Sequence, residues 1–109
     1  MNHDLDNRPW SEIFRLAGED WVEKEAAAQL LEDTKSAVLA QRMLALGDIA
    51  VNRAEQKVKA SPFWTEHVTK IVDARKAANQ AKIHMEYVRT QMWENNNREA
   101  NARAEMKLV

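Results

Sequence analysis

A chain of 109 residues is one domain with room for only a modest core, and the lack of cysteine excludes both a disulfide framework and a thiolate metal site. Two glycines, two prolines and a preponderance of Ala, Glu, Lys, Gln, Met and Leu exclude a sheet and point to an all-α protein. The net charge of −1 conceals an asymmetry: residues 1–50 hold five Lys/Arg against ten Asp/Glu, and residues 51–109 hold eleven against seven. An acidic half and a basic half favour head-to-tail packing of subunits or an anionic partner for the second half.

Residues 1–18 read as an N-terminal arm. Its polar start leads into a short amphipathic helix from Pro9 to Ala17 that carries Trp10, Ile13, Phe14 and Leu16 and is closed by Gly18. A second helix spans residues 19–46, with Glu19 and Asp20 at its positive end. Its inward face is expected to carry Trp21, Ala27, Leu30, Leu31, Ala37, Val38, Leu44 and Ala45, interrupted by Thr34 and Gln41. Gly47 suits the residue after a helix end, where a left-handed conformation is needed. Asp48 can cap a short third helix, residues 48–60, with Val51, Ala54 and Val58 on one face. Ser61-Pro62 then reads as a cap followed by proline at the first helical position, with a break between the third helix and a fourth.

From Pro62 the chain runs without Gly or Pro to its last residue, predicting a long helix over 62–107. About 45 residues at 1.5 Å each would extend roughly 65 to 70 Å. Part of such a helix is expected to be covered by another chain. Taking Ile71 as position a, the a and d sites are Trp64, His67, Ile71, Ala74, Ala78, Ala81, Met85, Val88, Met92, Asn95, Glu99, Ala102, Met106 and Val109. The small residues in this seam predict a tight helix crossing, with the second helix in a hairpin, with a second copy, or with both at once. Ile71, Ala74, Ala78, Ala81, Met85, Val88 and Met92 are therefore the candidate oligomer interface. A second apolar line, Val68, Val72, Ile83 and Tyr87, lies off the seam and predicts two neighbours for one helix, hence a homo-oligomer.

Position e carries Arg75, Lys82, Arg89 and Arg103, with Lys76 nearby. Such a stripe selects a coiled-coil partner or tracks the phosphates of a nucleic acid. Tyr87 and Trp93 lie between the cations and could serve as stacking platforms for single-stranded bases. The nucleic-acid-binding candidates are thus Arg75, Lys76, Lys82, Arg89, Tyr87, Trp93 and Arg103. Three scattered histidines lack ligand or nucleophile-base spacing, and there is no glycine-rich phosphate loop, so no metal, cofactor or catalysis is expected. No apolar run approaches a membrane span and the acidic start is unlike a signal peptide, so a soluble protein of the bacterial cytoplasm is expected.

The stretch Asp73 to Tyr87, DARKAANQAKIHMEY, with Lys76, Lys82, Glu86 and Tyr87, resembles the UvsY-type recombination mediators of bacteriophages. The resemblance implies a non-catalytic oligomer that binds single-stranded DNA and assists recombinase loading in phage recombination or replication, with Lys76, Lys82 and Tyr87 as the carried-over contacts. The alternative is a protein-interaction module, an assembly factor or a phage inhibitor of a host complex, that binds no nucleic acid.

Overall fold

The computed structural model describes residues 7–108; the first six residues and Val109, the last d position of the heptad, lie outside it. The described residues form three α-helices and no strand: α1 (Trp10–Ala45), α2 (Val51–Lys59) and α3 (Pro62–Leu108). They divide into two units, one made of residues up to Val22 with those from Asn79 onward, the other of Glu23–Ala78.

In the first unit α1 opens on Pro9, whose carbonyl accepts from the N–H groups of Glu12 and Ile13 at 3.0 and 3.2 Å. The predicted stop at Gly18 does not occur; α1 continues through it. A helical glycine costs about 0.5–1 kcal/mol relative to alanine. Here that cost is outweighed by Ile13 and Ala17, which are buried with Val88 and packed on by Trp10, Phe14 and Met85. A Cβ built on Gly18 would meet Met85 Sδ at 3.8 Å, an ordinary contact. Gly18→Ala is therefore expected to stabilise the fold by roughly 0.5–1 kcal/mol. Thermal denaturation followed by circular dichroism checks this, and a lower melting temperature would contradict it.

In the second unit α1 and α3 run antiparallel, since contacts from Glu25, Glu32, Lys35 and Arg42 on α1 fall on Arg75, Arg75, Trp64 and Phe63 on α3. The core stripe of α1 differs from expectation. Ala28 is fully buried and Leu31, Val38 and Leu39 are half-buried, whereas Ala27, Leu30, Ala37, Leu44 and Ala45 face solvent. Charge explains the displacement: the inward stripe also holds Glu25, Glu32, Lys35 and Arg42, which reach α3 with their polar ends while their stems cover apolar surface.

Gly47 ends α1 as expected, with φ of +88° and its N–H bonded to Leu44 O at 3.1 Å. Asp48 is not the cap of α2. The Ile49 N–H turns back onto Gly47 O at 3.1 Å, and the helix starts at Val51 with Ala50 as an N-cap that has no side-chain bond. Ser61 does cap α3: its Oγ accepts from the Trp64 N–H at 3.3 Å and donates to Val58 O at 2.6 Å, holding the break between α2 and α3. Ala54, Val58, Trp64, Ile71 and Ala78 are the buried apolar residues of this unit, alongside Ala28.

His67 stacks on Phe63 with ring centroids 5.9 Å apart and planes 6° from parallel, and its buried Nε2 has no hydrogen-bond partner among the described residues. Replacing such a group by an apolar one of similar shape removes an uncompensated desolvation cost of about 1–3 kcal/mol. His67→Leu is expected to leave stability unchanged or raise it; a loss above about 1 kcal/mol in urea denaturation would show that the imidazole is satisfied.

Candidate association surfaces

The seam assigned to subunit contact is largely covered within a single chain. Ile71, Ala78, Ala81 and Val88 are 9%, 0%, 6% and 3% exposed, and Met85 packs on the Ile13–Ala17–Val88 cluster. Ala74 and Met92 are half-buried. Burial within the chain is what the hairpin reading of these small residues expects.

The e-position cations do not form one continuous track. Arg75 is bound into the fold of the second unit: its Nε and Nη2 donate to Glu32 at 2.6 and 2.9 Å, and its Nη1 donates to Glu25 at 2.5 Å. A guanidinium that meets one carboxylate through two parallel bonds and a second through another has little capacity left for a phosphate. Those hydrogen bonds hold the Glu32 carboxyl below its ordinary range and push the Arg75 guanidinium higher still. Because the folded carboxyl is depressed, its contribution to stability is complete above the unfolded carboxylate range and is lost as pH falls through the folded value. Glu32→Gln should therefore show a shallower loss of stability between neutral and acid pH than the parent chain, measured as melting temperature against pH. Parallel curves would contradict this.

In the first unit Lys82 places its Nζ 5.8 Å from the centroid of the half-buried Trp21 ring. Arg89, Trp93 and Arg103 are exposed, as is Tyr87, with 67% of Trp93 and 55% of Tyr87 open to solvent. At about 100° per residue, Lys82, Arg89 and Trp93 fall within roughly 40° of one another around α3, and Tyr87 lies about 120° or more away. Lys82, Arg89 and Trp93 thus share a flank, and Tyr87 stands with the exposed Ile83 on another. Lys76 is exposed in the second unit.

The first unit carries no excess of cations. Residues 1–22 contribute two Lys/Arg and five Asp/Glu, and residues 79–109 contribute five and four, a net of −2. Ile83 is 66% exposed, so α3 presents Ile83, Tyr87 and Trp93 in this unit, where Val22 and Met106 are exposed as well, with no excess of cations around them. In the second unit Val72 is 58% exposed, while Val68, also of the second apolar line, is half-buried.

Sequence reasoning missed Glu25, Glu32 and Trp21 as partners of the stripe. The ion pairs of Arg75 span 43 and 50 residues, and no local pattern signals them. Among the described residues no group of three or more His, Cys, Asp or Glu is placed to hold a metal ion, and no helix is long and apolar enough to cross a membrane. Comparison with protein-family models, curated proteins and solved structures finds no significant match to this chain.

Proposed function

We propose that this chain is a non-catalytic helical interaction module that acts by binding another protein, as an assembly factor or as an inhibitor docked on a larger complex. The observation that carries the reading is the exposure of Ile83, Tyr87 and Trp93 on a unit that has no excess of cations and whose core residues are already buried. Large exposed side chains of this kind are the anchors that protein interfaces use, whereas a nucleic-acid surface needs an excess of cations. The withdrawal of Arg75 into an ion cluster weighs in the same direction. A photo-crosslinking residue at position 83 should trap one stoichiometric protein from a bacterial lysate, in a complex that survives nuclease and high salt. Tyr87→Ala, on the same flank as Ile83, should weaken the capture. Capture that nuclease abolishes would sink the reading.

The flank formed by Lys82, Arg89 and Trp93 favours a second reading, single-stranded nucleic acid held by a mediator of phage recombination. On this reading, fluorescence anisotropy of a labelled oligonucleotide rises with added protein and the binding weakens steeply with salt, while Arg89→Glu with Trp93→Ala removes it. An unchanged anisotropy at low salt would exclude it.

A further inference from the structure

The outward side of α1 carries a second seam between Glu23 and Gly47. Ala26, Leu30, Asp33, Ala37, Ala40 and Leu44 follow one another at alternating spacings of four and three residues, and all six are exposed, Leu30 at 64% and Leu44 at 80%. The flanking positions 27, 29, 34, 36, 41 and 43 are Ala, Gln, Thr, Ser, Gln and Met, none of them charged. Four charges of this stretch are spent inward instead: Glu25 and Glu32 bind Arg75, and Lys35 and Arg42 lie 5.9 and 3.4 Å from the ring centroids of Trp64 and Phe63. A helix face meant for water ordinarily carries the charges. Asp33 is the exception, accepting from Gln29 Nε2 at 2.9 Å.

We infer that this face of α1 binds the same face of a second copy, the two helices antiparallel about a two-fold axis near residue 35. The order of residues is self-complementary in that arrangement and in no other. An antiparallel seam pairs Leu44 with Ala26, Leu30 with Ala40, and Asp33 with Ala37. Each layer then sets one larger side chain against one alanine, which lets the axes approach closely. A parallel pair would stack Leu on Leu and Asp33 on its own copy, two carboxylates facing each other across the seam. Selection of an unrelated coiled-coil partner relies on flanking charges, and this face has none. The contact shares no residue with the Ile83, Tyr87 and Trp93 surface.

Light scattering on the full chain tests the inference. The mass should be twice 12.6 kDa at high protein concentration and fall toward one chain on dilution. Leu30→Glu with Leu44→Glu should give a monomer of unchanged helicity, because neither side chain belongs to the core. Asp33→Leu should lower the dissociation constant about tenfold or more by removing a carboxylate that the dimer desolvates. Orientation is read with a short bis-maleimide, since the chain has no cysteine. Ser36→Cys should cross-link to itself, Ala26→Cys alone should not, and Ala26→Cys mixed with Leu44→Cys should. A monomer at every concentration, an undiminished dimer in Leu30→Glu with Leu44→Glu, or self-cross-linking of Ala26→Cys overturns the inference. Loss of partner capture by Tyr87→Ala with the dimer intact would leave it standing.

Discussion

Replacing Trp64 with alanine is expected to cost about 3–5 kcal/mol of unfolding free energy, the largest effect of any single truncation in this chain. The indole is 8% exposed, sits one turn after the Ser61 cap and lies under the Lys35 ammonium at 5.9 Å. Its removal would leave a cavity at the start of α3 and strip the Lys35 stem of its cover. A chain of this length has only about 5–15 kcal/mol to lose, so the variant should melt far below the parent or fail to fold at 37 °C. Urea denaturation at two protein concentrations measures the loss and separates it from any change in association. A cost below about 1 kcal/mol would mean that the site collapses around the gap.

Ala78→Leu should destabilise by roughly 1–3 kcal/mol, although it adds apolar surface to a core position. Ala78 and Ala28 are both wholly shielded from solvent on the inward stripes of α3 and α1 in the second unit. A side chain longer than a methyl is expected to separate the helices or adopt a strained rotamer there. Ala78→Gly should also destabilise, by about 1 kcal/mol, through loss of helix propensity alone. The loss in Ala78→Leu reports how closely the helices approach, and the loss in Ala78→Gly measures the backbone contribution at the same position. A neutral or stabilising Ala78→Leu would mean that the two helices have room to spare at this level.

Helical class, the Gly47 stop, the Ser61-Pro62 restart and the burial of Ile71, Ala78, Ala81 and Val88 were legible because each depends on neighbours in sequence or on a simple period. The continuation of α1 through Gly18 was not, since it depends on Met85 and Val88, far along the chain. The inward stripe of α1 was misassigned for a related reason. Leu30 and Leu44 are greasier than Lys35 and Arg42, and hydropathy drew the prediction to the face that looks outward. Of the nucleic-acid candidates, Lys82, Arg89 and Trp93 share a flank of α3 because their spacing requires it, whereas no local pattern signals that two glutamates claim Arg75.

The two acceptors of Arg75 stand one heptad apart on α1, at positions 25 and 32. Sliding α1 along its neighbour by seven residues would still leave a carboxylate within reach, so electrostatics alone cannot distinguish the correct alignment from that neighbouring one. Ala28 supplies the missing discrimination. A slide in one direction would bring Trp21 to its place and in the other Lys35, and neither can enter a gap sized for a methyl group. Attraction narrows the possible alignments to a ladder of heptad steps, and steric exclusion selects the rung.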